Sequence, residues 1–455
     1  MFIRVFKLLY IKTLRSRKMN KTKIIALFVI LFLVLSIAVF AAGTKEESNS
    51  TGPVLFQFYH GLPGDNGKIF EKMIVDFNRS QNEVIVEPIF MPNYTALSQK
   101  LTAAIASNTA PALAQLADDD LWRMADAGVL LSLNDFMARS DYQDIKDDYV
   151  QGFIDVTTVD GHVYGLPMQR STPILYYRKD ILAKNEIDVS QLATYEGLRE
   201  AAIKLKAAGD TKWGFEPLHN PWFMISALRS NGVKFFNDDF TEATFGTPEA
   251  VEVFQFHHDL VWKDKSSFVH YGGSGWQYWI NSEYDLVNGN TAMYTGSTGD
   301  MGGNIKKGAE FDVPKENIGS TFMPKFEGGQ YSVPFGGTSG VIIKDVSPEK
   351  QEAAWKFLRW FSEPKQTAAW SEATGYLPTR YSAKHFMDLN DKPYLGVALE
   401  QLQYALNEPK TIVWSEIRGG ALKGLMDRIY LEEDIDVSAA VAQAVKEANA
   451  VIKNQ

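Results

Sequence analysis

A chain of 455 residues that is 45% apolar exceeds the roughly 250 to 300 residues at which a single hydrophobic core stops growing, so two cores are expected. It carries 46 Lys plus Arg, 55 Asp plus Glu and no cysteine, for a formal charge of −9. Disulfides, thiol catalysis, a cysteine-linked lipid and Cys-based zinc sites are excluded, and the acidic balance disfavours nucleic acid and anionic lipid.

Residues 1–42 hold eight Lys or Arg and no acid, and end in the apolar run IIALFVILFLVLSIAVFAA. A basic start, an apolar middle and small residues at Val39 and Ala41 predict a secretory signal peptide over 1–42, with MNKTK from Met19 as a second candidate start. The alternative is an uncleaved anchor, since 19 apolar residues just reach across a bilayer. Cleavage leaves 38 basic against 55 acidic residues, a formal charge of −17.

Residues 62–78 open with turn residues and place Ile69, Phe70, Met73, Ile74 and Phe77 on one helical face, with Asp65 or Asn66 as the expected cap. The strand-like VIVEPIF follows, then a helix over 99–107, the strand APALAQL, and a helix from Leu121. Ser171, Thr172 and Pro173 lead into ILYY; Pro removes a ladder donor and restricts its predecessor, which suits a chain crossing between lobes. The stretch TAMYTGSTGDMGG from Thr291 carries a strand into a glycine loop whose amides could face an anion. FGGTSG at 335–340 is a third small-residue crossing. Ser347 and Pro348 set a helix start ahead of the stripe Ala354, Phe357, Leu358 and Phe361. Tyr376 follows a helix in TGYLPTR, and Arg418 stands beside Gly419 and Gly420 in WSEIRGG, where room for a ligand and an open, wet cleft are expected. Strands alternating with helices make the fold α/β.

Singly, each of these features has a plainer reading: glycines turn chains, a Tyr near Pro packs, and a lone Arg is solvated or ion-paired. Taken in order, NYTALSQKLTAAIASNTAPALAQL, LPMQRSTPILYYRKD, NGNTAMYTGSTG, GGTSG, ATGYLP and EIR resemble the extracellular solute-binding proteins of ABC importers, of the maltose-binding-protein type, and within them the sn-glycerol-3-phosphate-binding members. The resemblance runs from about Leu55 to the C-terminus and implies a two-lobed periplasmic-binding-protein type II fold with an interlobe cleft and hinge crossings. Lobe I would hold 53–169 and 342–378, and lobe II 173–336 and 382–455. By position it places the ligand on Tyr94, Asp118, Ser171, Ser297, Gly337, Tyr376 and Arg418. The family has Glu where this chain has Asp118. Of two family tryptophans in the second lobe only Trp222 is kept, with His219 at the other position, where a wider pocket is expected.

The residues agree chemically. Arg418 offers a charged fork for phosphate, the Ser171 and Ser297 hydroxyls and the Gly337 amide add donors, Asp118 accepts from hydroxyls, and Tyr94 and Trp222 cover carbon. Neither a metal nor any other cofactor is needed. The resemblance further implies a small phosphorylated polyol or sugar as ligand, an ABC permease with its ATPase as partner, and a periplasmic or extracellular monomer. Catalysis is not expected, because the seven histidines form no HExxH and the chain holds no GxSxG elbow. The rival readings are an oligosaccharide receptor, favoured by ten tryptophans, and a secreted glycoside hydrolase with a carboxylate pair.

Overall fold

The computed structural model describes residues 52–139, 142, 147–272 and 276–454; the predicted signal or anchor segment and its start sites lie outside them. Residues 53–455 form one compact unit.

Two sheets organise this unit. The first takes β1 (Val54–His60), β2 (Val84–Phe90), β3 (Leu113–Ala117), β4 (Gly165–Ser171) and β9 (Gly336–Ile342), in the order β2-β1-β3-β9-β4. β1 runs parallel to β2 and β3, while β9 is antiparallel to both β3 and β4. The second takes β5 (Pro173–Arg178), β6 (Trp213–Glu216), β7 (Thr291–Ser297) and β8 (Ile318–Thr321), in the order β8-β5-β7-β6. A single residue, Thr172, separates β4 in one sheet from β5 in the other, so the expected crossing stands where proline ends the first ladder. β9 is the correction to the third crossing. Gly336, expected to close the second lobe, pairs with Ser171 in the first sheet.

Each sheet carries its own core. Phe56, Phe58 and Val86 of the first meet Phe70, Ile74 and Phe77 of α1 (Gly64–Ser80) and the stripe Ala354, Phe357, Leu358 and Phe361. Leu175, Phe215 and Met293 of the second meet Trp414, Ile417, Leu422 and Met426 from the C-terminal helices. Full burial of one such side chain is worth about 1.5 to 3 kcal/mol, so each lobe has enough apolar contact to hold its own shape. Among the described residues no helix is long and apolar enough to cross a membrane.

Helix positions follow the periodicity, but starts differ. Pro63, not Asp65 or Asn66, takes the cap position of α1, and no side chain caps it. α2 (Tyr94–Ala106) starts earlier than expected because Asn93 caps it by accepting from Ala96 N at 2.8 Å. α3 (Asp118–Asp126) likewise starts three residues early, with Asp118, Asp119 and Asp120 in its first turn, where the helix dipole favours carboxylates.

Candidate interlobe binding site

The site begins where β3 delivers the three aspartates of α3. Arg170 on β4 has no solvent exposure and donates from Nη1 to both Asp118 oxygens, at 2.8 and 2.9 Å. Its Nη2 donates to Ser339 Oγ. Burial outweighs that adjacent guanidinium and pushes the Asp118 carboxyl up to about 6.

One residue on, Asp119 Oδ2 accepts from Arg418 Nη2 at 2.6 Å. Arg418 Nη1 donates to both oxygens of Glu408, at 3.1 and 3.0 Å, and Glu408 also accepts from Trp414 Nε1. Arg418 belongs to the helical run 414–431, whose Ile417 and Leu422 pack in the core of the second sheet. Its contact with Asp119 therefore spans the lobes. Burial works against the guanidinium charge, but Glu408 and Asp119 more than offset it and hold the group above its ordinary range.

This corrects the expectation of an arginine facing open water. Its side chain is 29% exposed and already committed to two carboxylates. The neighbouring glycines do leave space, since a Cβ on Gly419 or Gly420 would meet nothing within 4 Å.

Aromatic residues flank the pairs. The Tyr94 ring lies on the backbone of Gly61, where a Cβ would come within 2.9 Å of Cδ1, and meets the Trp276 ring edge-on at 5.6 Å. Burial, then the charge of Asp118, raises the Tyr94 phenol above its usual range, which puts it in the same electrostatic neighbourhood. Tyr376 follows a helix ended by Gly375 at φ +98°, and stacks on Trp370 at 5.5 Å. Its ring covers Gly299, where a Cβ would sit 2.8 Å from Cζ. Asn66 of α1 donates to the Gly299 carbonyl at 3.3 Å, so residues packed on the first sheet clasp the loop that follows β7.

The ladders bring the small residues together. Ser171 pairs with Gly336, Gly337 with Arg170, and Pro173 with Ser297. Gly337 has φ +108°, and a Cβ there would lie 1.8 Å from the Gln169 carbonyl oxygen. The anion-cradle reading of the glycine loop is corrected. Ser297 N donates to Asp300 Oδ2 at 2.7 Å and Gly299 N to Ser297 Oγ at 3.1 Å, so the loop supplies its own carboxylate.

Trp222 donates from Nε1 to the Phe335 carbonyl at 3.1 Å and lies against Gly336. His219 is only 6% exposed, with Nε2 2.9 Å from Asp427 and its ring edge-on to Tyr430. Burial and the Lys423 charge hold it down to about 4 despite Asp427. A histidine packed in this way does not by itself widen a pocket. Sequence reasoning missed Asp119, Arg170, Glu408 and Trp276; Arg170 stood inside a stretch already singled out, and Asp119 next to the candidate Asp118.

Two lobes with separate cores, joined at Thr172 and meeting through facing charged and aromatic groups, make the architecture of a two-lobed binding-protein fold. The chain belongs to the bacterial extracellular solute-binding protein family, whose profile matches residues 72–394. The sn-glycerol-3-phosphate-binding periplasmic protein UgpB of Brucella abortus is 27% identical over 338 residues, covering 72% of this chain and 75% of that protein. UgpB of Escherichia coli is 26% identical over 420 residues, covering 87% and 90%. Among solved structures, UgpB from Mycobacterium tuberculosis in complex with glycerophosphocholine superposes with a TM-score of 0.77 at 22% identity, covering 89% of this chain and all of that one. The cyclic alpha-maltosyl-1,6-maltose binding protein from Arthrobacter globiformis gives 0.71 at 24% identity, again covering 89% and 100%.

Proposed function

We propose that the protein is the receptor of an ABC importer and captures sn-glycerol 3-phosphate or a related glycerophosphodiester between its lobes. The supporting observation is Arg418, a cation reached from both lobes through Asp119 and Glu408. A phosphate group would take over the part of the guanidinium fork now held by Asp119. It exchanges one charge-assisted pair for a bidentate one without leaving the arginine unpaired. Asp118 accepts from ligand hydroxyls with the lone pairs that Arg170 leaves over, Ser171, Ser297 and the Gly337 amide donate, and Tyr94, Tyr376 and Trp222 cover carbon. His219 is packed against Asp427 and Tyr430, so a choline-bearing diester is accepted with the monoester only where that side chain swings aside. The lobes, with boundaries near 53–169 plus 342–378 and 173–336 plus 382–455 except that 336–342 belongs with the first sheet, hinge about Thr172 and close on the ligand. The loaded receptor then docks as a monomer on a permease powered by a separate ATPase.

The protein works outside the cytoplasmic membrane, exported by residues 1–42 or tethered through them. A net charge of −9, or −17 once residues 1–42 are removed, gives no long-range steering of an anion, so capture depends on the local donors.

An oligosaccharide ligand is the second reading, favoured by the Tyr94, Trp276 and Trp279 edge-to-face series, with ring centroids 5.6 Å apart at each step. A thermal-shift screen separates the two. A ligand at 100 times its dissociation constant adds about 2.7 kcal/mol of stability. Phosphorylated polyols and diesters are expected to raise the melting temperature while neutral sugars leave it unchanged; the reverse pattern selects the sugar.

A further inference from the structure

Away from the interlobe pairs, three elements of the second lobe bring together one imidazole and two carboxylates. Glu216 ends β6, an edge strand. The segment carrying His270 runs alongside that strand, with Gly214 N donating to the Ser266 carbonyl at 2.8 Å and Phe268 N to the Phe215 carbonyl at 3.3 Å. Asp285 lies on the helix Gln277–Asn288. His270 Nε2 is 2.8 Å from Asp285 Oδ2 and 3.8 Å from Glu216 Oε2, and one ligand atom from each residue lies within 4.8 Å of the other two.

Glu216 is the anomaly. Its side chain has no solvent exposure, and neither carboxylate oxygen makes a hydrogen bond of good geometry, although Asp285 and Ser282 lie close enough to act on it. A buried carboxylate without partners costs several kcal/mol, and native structures seldom leave one so.

We propose that Glu216, His270 and Asp285 form a site for a divalent first-row transition cation of the Zn2+ or Mn2+ kind. The donor set carries two negative charges, which a divalent ion neutralises. One imidazole with two carboxylates suits these ions better than the all-oxygen shells that Ca2+ and Mg2+ take. Ligand atoms about 2.1 Å from such an ion lie roughly 2.9 to 3.4 Å from one another. The observed 2.8 and 3.8 Å bracket that range.

Outer contacts fit the same reading. Asn290 and Asn288 donate to Asp285 Oδ1, at 2.8 and 3.4 Å, which turns Oδ2 toward the imidazole. The Phe268 ring meets the His270 ring edge-on at 4.9 Å and stacks on Trp213 at 5.3 Å, which fixes the imidazole plane. His270 and Asp285 are 21% and 17% exposed, so the cluster is open on one side, where water or an ion can enter. On binding, a Glu216 oxygen takes the cation beside His270 Nε2 and Asp285 Oδ2. An ion here would also stiffen the residues leading from Glu216 to His219 and Trp222.

The test is calorimetric titration of chelator-treated protein with Co2+ and Zn2+, with the visible spectrum of the Co2+ form as a second readout. One-to-one binding is expected, with cobalt d–d bands. Glu216→Gln, which keeps the shape of the side chain, is expected to lose more than the roughly 10- to 100-fold that outer-shell changes cost while melting no lower than wild type in chelator. His270→Gln, as the second variant, should lose the cobalt bands. Absence of binding below about 100 times the protein concentration would overturn the assignment, and so would Glu216→Gln binding as tightly as wild type.

Discussion

Arg418 and Asp119, 299 positions apart in sequence, meet at 2.6 Å across the two lobes. The same guanidinium is held within its own lobe by Glu408. It is thus a structural cation and, on the proposed function, also the group that meets the phosphate. Arg418→Ala leaves Glu408, only 10% exposed, without its cation. Breaking a fully buried pair costs about 3 to 5 kcal/mol, and the partial exposure of Arg418 places this one lower, at about 1 to 3 kcal/mol. Urea denaturation of Arg418→Ala and of Arg418→Ala/Glu408→Gln measures it. The double variant should recover part of the loss, because the uncompensated carboxylate is gone.

Cutting the contact from the other side should act on shape more than on stability. Asp119→Ala removes the span between lobes but leaves Arg418 with Glu408. Asn66 with Gly299, and Lys306 with Asp65 at 2.7 Å, remain to bridge the lobes. The last pair is exposed and contributes about 0 to 1 kcal/mol. Small-angle scattering of ligand-free Asp119→Ala should give a larger radius of gyration than wild type, and added ligand should restore the smaller value.

Much of this architecture was legible in the sequence, for local reasons. The crossing after Ser171 was marked by Pro173, and the stripe Ala354, Phe357, Leu358 and Phe361 by its period; all four of its residues are buried in the first core. Tyr376 and Gly337 were reached through resemblance; Gly337 pairs with Arg170 in the first sheet and the Tyr376 ring covers Gly299. What could not be read was pairing. Asp119 and Glu408 are two among 55 acidic residues, and nothing local distinguishes a carboxylate that will meet an arginine 299 positions away. The glycine loop misled for a similar reason, since its own Asp300 takes the amide that an external anion was expected to use.

Two glycines make contrasting backbone tests. Gly337 has a positive φ and no room for a Cβ, so Gly337→Ala combines strain with a clash against the Gln169 carbonyl and should cost at least about 2 kcal/mol. Gly419 lies in a helical run with open space around it, and Gly419→Ala should stabilise by up to about 1 kcal/mol. Thermal melts of the two variants should therefore move in opposite directions.

Acid should destabilise the protein through histidines buried in the neutral form. His60 has no exposure, its ring nitrogens make no hydrogen bond, and burial lowers its pKa from 6.5 to about 4. His219 and His257 are lowered to about 4 and about 3, also chiefly by burial. Between pH 6.5 and 4 the unfolded chain binds the proton that folded His60 refuses. The stability tied to His60 is therefore complete above pH 6.5 and falls as pH drops to about 4, by on the order of 3 kcal/mol. Asp118, with its carboxyl raised to about 6, works with the opposite sign between pH 6 and 4. The difference in unfolding free energy between His60→Leu and wild type, followed over pH 4 to 7, isolates the histidine term and should shift in favour of the variant as pH falls.

Calorimetric titration of sn-glycerol 3-phosphate into the wild type and into Arg418→Lys, with maltotriose as the neutral comparison, addresses the proposed function most directly. Lysine keeps the charge but loses the bidentate fork. The account predicts one-to-one binding of the phosphorylated ligand to wild type, affinity weaker by about 10-fold or more in Arg418→Lys, as for the loss of one charge-assisted hydrogen bond, and no heat from the sugar. Saturable binding of maltotriose with none of the phosphate ester, or equal affinities of wild type and Arg418→Lys for the ester, would contradict it.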